Sequence, residues 1–166
     1  MPGRSARYLL TGLAAVMLAA CSDATASSPA VRVTPLQALL RIDQLADPGF
    51  TVYTRAHPAT AAEAGGSASA GSTLEHDGFQ AASSVEFSRS AQFVTANGPV
   101  DVLDTVATFA RADGAAAAMS SEIAMADAAA GATPMSTGPL GDAAHADLTV
   151  RQLPNGLKAD QITLLW

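Results

Sequence analysis

The sequence is short of cysteine, of charged residues and of aromatic residues. Among 166 residues there is one cysteine, while charged residues make up 14% and aromatic residues 5%. A single cysteine excludes an intrachain disulfide and a zinc site built from cysteine pairs. Nine basic residues face fifteen acidic ones, for a net charge of −6. Such a surface repels nucleic-acid phosphates, so we predict no nucleic-acid partner.

The sequence also lacks the common catalytic and nucleotide-binding motifs. It contains no G-x-S-x-G elbow, no G-x-x-x-x-G-K-[ST] loop, no H-E-x-x-H pair and no G-x-G-x-x-G fingerprint. Each of these motifs places a nucleophile, a metal ligand or a phosphate-binding backbone in a defined geometry. Without them, we predict a protein that is not an enzyme and that carries no cofactor.

The amino terminus has the layout of a secretory signal peptide. Arg4 and Arg7 precede a run of 13 mostly apolar residues, 8–20, which is too short to cross about 30 Å of hydrocarbon as a helix. The run ends at Leu18-Ala19-Ala20-Cys21, which resembles the bacterial lipobox. We therefore expect residues 1–20 to form a signal helix that is removed.

The lipobox resemblance implies a lipid anchor. In such signals Leu18, Ala19 and Ala20 are recognised by the signal peptidase, and the thiol of Cys21 is alkylated with diacylglycerol. Several acyl chains on one residue hold a protein stably at a membrane, here on its extracytoplasmic face. Two alternatives are ordinary secretion with cleavage after Ala26, and a buried structural cysteine.

The rest of the chain predicts a tether and a single domain. Residues 21–33 are small and polar and should form a flexible tether, and residues 34–166 suffice for one domain. Within that domain, the low-complexity residues 57–72 indicate a mobile loop. Alanine dominates the apolar share and buries little area, so the core is thin for its length.

Local patterns predict an α+β fold with an antiparallel sheet of about four to five strands and two helices on one face. Thr34, Pro35 and Gln37 mark the start of a helix, and strands begin near Phe50, around residues 83–90 and at Asp101. A second, alanine-rich helix is expected from an N-cap at Asp113 to about Ala130, with a stop at Gly131. Its expected buried positions are Met119, Ile123, Ala126 and Ala130, and both Met119 and Met125 fit a gap-filling core role.

The carboxyl-terminal segment predicts a β-hairpin. Residues 147–152 and 158–166 flank Asn155-Gly156, which is a favoured hairpin turn. Alternation along the second strand places Ile162, Leu164 and Trp166 on one face. An apolar strand at this position indicates either a sheet edge or a chain that has been cut short.

The densest polar cluster contains Asp142, His145 and Asp147. A carboxylate and an imidazole three residues apart can share a helix face and bind a metal. However, the segment follows Gly138-Pro139 and runs into a strand, which favours Asp142 as a cap of backbone N–H groups. The structural interpretation is preferred, and these three residues are the candidate metal ligands. Glu75-His76-Asp77 fits a solvated helix face, and His57 is expected to be exposed.

About the last third of the chain carries an alanine run, Ala115 to Ala118, followed by Pro139, Leu140, Gly141, Asp142 and Ala143. In these residues it is similar to extracytoplasmic lipoprotein domains of high-GC bacteria, including sensor-type domains found outside some Ser/Thr kinases, with looser support from residues 38–52. The resemblance implies an α+β domain with a sheet and a groove, a role in binding or sensing, and no catalytic residues. The chain lacks the paired cysteines of the kinase sensors and ends where those domains continue into a further strand.

These observations leave three functional hypotheses. The first is a membrane-tethered binding domain for a small or apolar ligand, a glycan or an envelope protein. The second is an envelope hydrolase or metal-dependent enzyme that uses Asp142, His145 and Asp147. The third is a truncated product without activity.

Overall fold

A computed structural model describes residues 7–15, 33–90, 99–137, 143–152 and 158–165. Within these ranges the chain forms seven β-strands, four α-helices and one 3₁₀ helix. The strands are β1 (Arg7–Ala15), β2 (Phe50–Ala59), β3 (Phe79–Arg89), β4 (Pro99–Phe109), β5 (Thr133–Met135), β6 (His145–Gln152) and β7 (Lys158–Leu165). The helices are α1 (Pro35–Ala38), the 3₁₀ helix (Ile42–Gln44), α2 (Ala61–Ala64), α3 (Ala68–His76) and α4 (Ala112–Asp127). No helix in the described part of the chain is long and apolar enough to span a membrane.

The strands form one sheet in the order β2-β3-β4-β1-β7-β6-β5. Strands β2, β3 and β4 are antiparallel to one another, and so are β5, β6 and β7. Strand β1 lies between the two groups and is parallel to both β4 and β7. The predicted α+β class and the antiparallel pairings β3–β4 and β6–β7 are confirmed, but the described residues form more than the expected four to five strands.

Residues Arg7–Ala15 form strand β1 and not the expected signal helix. Their backbone pairs with β4 from Tyr8↔Pro99 to Ala15↔Ala107, and with β7 from Arg7↔Ala159 to Leu13↔Leu165. A short apolar run fits a buried parallel strand as well as it fits a helix. The physical reason for the strand is that β4 and β7 each present an edge of backbone N–H and C=O groups that β1 pairs.

Two apolar clusters cover the two faces of the β2-β3-β4 group. On one face, Leu39 at the end of α1 packs with four strand residues, Val85, Phe87, Val102 and Val106. On the other face, alanines of α2, β3, β4 and α4 surround Leu74 of α3. The expected placement of two helices on one face is therefore wrong, because α1 packs on the face opposite α2, α3 and α4.

The end of α1 is held by a buried carboxylate. Asp104 of β4 is 2% exposed, and its Oδ2 accepts a hydrogen bond of 2.7 Å from the backbone N–H of Leu40. Burial raises the pKa of Asp104, and the Leu40 hydrogen bond opposes that rise. Helix α1 begins at Pro35 as predicted, with Gln37 Oε1 accepting from the backbone N–H of Thr34.

The expected mobile loop at residues 57–72 is wrong, because the chain there continues β2 and then forms α2 and α3. Thr60 and Glu63 make a capping box at the start of α2, and the Ser67 hydroxyl accepts from the backbone N–H of Ala70 at the start of α3. The small residues of this segment allow close packing. A Cβ at Gly71, for example, would lie 2.6 Å from the backbone of Ala62.

Helix α4 begins two residues earlier than predicted and ends at Asp127, before the expected Ala130. Its N-cap is Arg111, and Asp113 lies in the first turn, where it forms an ion pair with the Arg111 guanidinium at 2.9 Å. Gly131 has a φ of +79°, a left-handed conformation that favours glycine and that follows the helix end. Met119 is buried as predicted, whereas Ile123 and Ala126 are half-buried and Ala130 is exposed.

Candidate functional site

A cleft of about 510 Å³ lies between α4 and the β6–β7 hairpin. Its volume falls in the range of about 300–1,000 Å³ that small-molecule sites occupy. Six small or apolar residues and four polar ones form its lining. The lining residues are Gly65, Glu122, Met125, Ala126, Ala129, Ala130, Thr149, Val150, Gln161 and Thr163. Met125, for which we expected a core role, is 45% exposed and lines this cleft.

Strand register gives the cleft a polar floor. His145, Asp147 and Thr149 alternate along β6 and therefore project from one face. They lie directly opposite three residues of β7 on the same face, Leu165, Thr163 and Gln161 respectively. Helix α4 packs over this face. The side chains beneath the helix are therefore largely polar, whereas those of a hydrophobic core would be apolar.

One polar atom of the floor is buried without a partner. The Oε1 atom of Gln161 is inaccessible to solvent and accepts no hydrogen bond from the described residues. Such an atom costs about 1–3 kcal/mol relative to a satisfied one. Burial also raises the pKa of Glu122 across the cleft, which favours its neutral form. Gln161 also lines the cleft, so rotation of its amide toward the cleft would let a ligand N–H or O–H donate to Oε1.

Three ionisable side chains converge at one end of this floor. The Nε2 atom of His145 lies 2.6 Å from Oδ2 of Asp147 and 3.3 Å from Oδ1 of Asp127. The Asp147 side chain is 1% exposed, that of His145 is 21% exposed and that of Asp127 is 50% exposed. One potential ligand atom from each residue lies within 4.8 Å of the others, which is a spacing that could hold a metal ion.

The structure brings together two of the three predicted ligands. His145 and Asp147 are adjacent on one face of β6, while Asp142 lies outside the described residues, as do Leu18, Ala19, Ala20 and Cys21. Sequence analysis missed Asp127, the last residue of α4. The position of Asp127 could have indicated its role. A carboxylate at the carboxyl terminus of a helix interacts unfavourably with the helix dipole and therefore needs another source of stabilisation.

The other two histidines are separate from this cluster. His57 is half-buried in β2, where Nδ1 lies 3.0 Å from the carbonyl oxygen of Arg55, so the expected exposed loop position is wrong. It borders a second, shallower cleft of about 530 Å³ together with Glu63, Ser84 and Thr105. Glu75 and His76 are exposed at the end of α3, as expected of a solvated helix face, whereas Asp77 follows the helix as its C-cap and is half-buried.

Comparisons of the chain with models of protein families, with curated proteins and with solved structures found no match.

Proposed function

We propose that this chain is the precursor of a membrane-anchored lipoprotein whose domain binds a small ligand on the extracytoplasmic face. The observation that carries the ligand-binding part is the cleft under α4, with its buried and unpartnered Gln161 Oε1. Natural proteins rarely leave a buried acceptor unsatisfied, and an exception calls for an explanation such as a ligand. The cleft belongs to α4, β6, β7 and the turn between α2 and α3.

The lipid anchor is supported by the sequence at the amino terminus. Positive residues, a short apolar run and Leu18-Ala19-Ala20-Cys21 occur in the order that a lipoprotein signal requires. In this proposal residues 1–20 act as the signal peptide and residues 21–33 as the tether. Lipidated Cys21 then holds the protein at the membrane, and the domain binds the ligand.

Cleavage before Cys21 has a structural consequence, because it removes β1 from the middle of the sheet. Two three-stranded antiparallel groups remain, β2-β3-β4 and β5-β6-β7, and the facing edges of β4 and β7 lose their partner. The mature domain regains those hydrogen bonds when β4 pairs with β7 or when another strand takes the place of β1. The residues that line the cleft are all retained after cleavage.

The chemistry of the cleft defines the class of ligand. Met125, Ala126, Ala129 and Val150 offer an apolar wall, and Gln161 offers a hydrogen-bond acceptor. Loss of Arg4 and Arg7 on cleavage changes the balance to seven basic and fifteen acidic residues, a net charge of −8. The proposed ligand is therefore a small molecule with an apolar part, at least one N–H or O–H donor and no net negative charge.

The test is recovery of the ligand from natively purified protein. The protein is purified from membranes in mild detergent, and bound small molecules are identified by mass spectrometry. Gln161→Leu should reduce the recovered amount about tenfold, since one hydrogen bond to a buried group is worth about 1.4 kcal/mol. Gln80→Leu, at an exposed position on β3, is the matched control and should retain the ligand.

The free energy of unfolding of the two variants shows whether a loss of ligand comes from a loss of folding. Gln161→Leu removes a buried atom without a partner, so its free energy of unfolding should equal or exceed that of the wild type. Equal ligand recovery from both variants, or no bound molecule in any preparation, would contradict the proposal.

A second candidate function is a metal-dependent envelope enzyme. The observation that favours it is the convergence of Asp127, His145 and Asp147 beside a cleft, with Asp127 added to the two predicted residues. A metal bound there would lower the pKa of a coordinated water. Turnover in a hydrolase panel that disappears in Asp127→Asn would establish this alternative over simple binding.

A further inference from the structure

We propose that Asp127, His145 and Asp147 bind a divalent transition-metal cation, for which Zn²⁺ is the probe. The residues come from the end of α4 and from alternate positions on β6, and they place one imidazole nitrogen between two carboxylates. Two carboxylates and one imidazole form a donor set that Zn²⁺ accepts, with the fourth position available to water or ligand. This site does not depend on the ligand proposed for the cleft.

Charge balance at the cluster favours a dication. Asp147 is almost fully buried, and an ionised buried carboxylate requires a compensating positive charge. Within the described residues, the ion pairs of Asp127 and Asp147 all involve His145. A protonated His145 supplies one positive charge against two carboxylates, whereas a divalent cation with neutral imidazole balances both.

A buried atom without a partner independently indicates a missing ligand. Oδ2 of Asp147 contacts His145, but Oδ1 is buried and has no hydrogen-bond partner among the described residues. A bound cation, or a water coordinated to it, would satisfy this oxygen. The cation would also lie near the carboxyl terminus of α4, where the helix dipole favours positive charge and disfavours Asp127 alone.

The ligand atoms all lie within 4.8 Å of one another, and the two separations from His145 can be compared with those of a zinc site. Zn–N and Zn–O bonds of about 2.0–2.2 Å in a tetrahedral site place ligand atoms about 3.3 Å apart. The separation of His145 Nε2 from Asp127 Oδ1 is 3.3 Å, which meets this requirement. The 2.6 Å separation from Asp147 Oδ2 must open by about 0.7 Å, which small side-chain rotations provide.

The test is zinc binding by the membrane-purified protein after treatment with EDTA. Calorimetric titration with Zn²⁺ should give one site per chain, and Zn²⁺ should raise the thermal unfolding temperature. Asp127→Asn should weaken zinc affinity at least tenfold. His145→Ala should abolish binding. Asp43→Asn removes the same charge from an exposed ion pair with Arg41 and should bind like the wild type.

Because Asp127 is half exposed, Asp127→Asn should fold, and circular dichroism verifies this. Mg²⁺ is the ion control, since it prefers all-oxygen octahedral sites and should not reproduce the zinc response. Unchanged zinc affinity in folded Asp127→Asn, or an equal response to Mg²⁺, would overturn the site. Zinc binding is measured without the cleft ligand, so failure here leaves the ligand-recovery result independent.

Discussion

Gly114→Ala tests how α4 is positioned above the cleft floor. In most helices this substitution stabilises by up to about 1 kcal/mol, because alanine has the higher helix propensity. Here a Cβ at residue 114 would lie 1.9 Å from the carbonyl oxygen of Asp77, in the turn that follows α3. The helix or the turn must therefore move by more than 1 Å, since real Cβ contacts essentially never fall under 3.0 Å.

Gly114→Ala should lower the free energy of unfolding. Overpacking costs about 1–3 kcal/mol, and a contact of 1.9 Å belongs in the upper part of that range, at about 2–3 kcal/mol. Subtracting a propensity gain of about 1 kcal/mol leaves a net loss of about 1–2 kcal/mol. With a urea m-value of about 1–3 kcal/mol/M, the unfolding midpoint should fall by roughly 0.3–2 M. Circular dichroism in urea measures it.

A matched variant separates the contact from a general effect on α4. Ser120→Ala lies at an exposed position of the same helix, where the hydroxyl donates to the carbonyl oxygen of Ala116. Alanine is the better helix former, so the midpoint of this variant should not fall. If Gly114→Ala matches or exceeds the wild-type midpoint, the close approach of α4 to the Asp77 turn is wrong.

Three further predictions concern the core, a cap and a buried acid. Phe87→Ala should lower the free energy of unfolding by about 3–5 kcal/mol, because the ring is 2% exposed; urea denaturation measures this, and a loss under 1 kcal/mol would refute its core position. Thr60→Ala removes the capping box with Glu63 and should cost about 0.5–2 kcal/mol in the same assay, while an unchanged midpoint would exclude the cap. Burial raises the pKa of Asp104, so the folded state holds this proton more tightly than the unfolded state. Its contribution to stability is then complete below the unfolded pKa and is lost as pH rises through the folded pKa. Asp104→Asn should remove that decline, whereas Asp104→Ala should cost about 1–3 kcal/mol at pH values below the ordinary carboxyl pKa, because the Leu40 N–H loses its acceptor. Identical pH profiles for the wild type and the Asn variant would contradict the assignment.

Strands β2, β3, β4 and β7 were predictable because their side chains alternate or are rich in β-branched residues, whereas β1 and β5 were not predicted. Val85 and Phe87 on β3, and the β-branched residues of β4, mark buried faces that the structure confirms. The β6–β7 pairing was likewise predictable from its flanking pattern, although the Asn155-Gly156 turn lies outside the described residues. The alternation of apolar and polar residues along a strand is a property of the local sequence, so it can be recognised without tertiary information.

Helices α2 and α3 were missed because their segment is composed of alanine, glycine and serine, which give little apolar periodicity. The capping pair Thr60 and Glu63 was visible in the sequence and is the signal that indicates a helix start. Low complexity suggested mobility, but the small side chains are what allow Gly71 to approach the backbone of Ala62. The packing that uses them is tertiary and cannot be inferred from composition.

The cleft was missed for a related reason. Alternation on β7 identifies Ile162 and Leu164 as one face, but the face beneath α4 is the other one, with Gln161, Thr163 and buried Leu165. The sequence does not reveal which face a helix covers. Asp127 and His145 are likewise far apart in the chain, and only the packing of α4 over β6 brings them to 3.3 Å.

The central claim is that a lipid-anchored domain outside the cytoplasm carries the cleft, and the mass of the protein from the membrane fraction tests it most directly. The wild-type chain should begin at Cys21 and carry a diacylglyceryl group on its sulfur. The Cys21→Ser variant should lack this group and be found in the aqueous fraction, not in the membrane fraction. A chain that retains residues 1–20 with a free thiol, recovered from the cytosol, would contradict it.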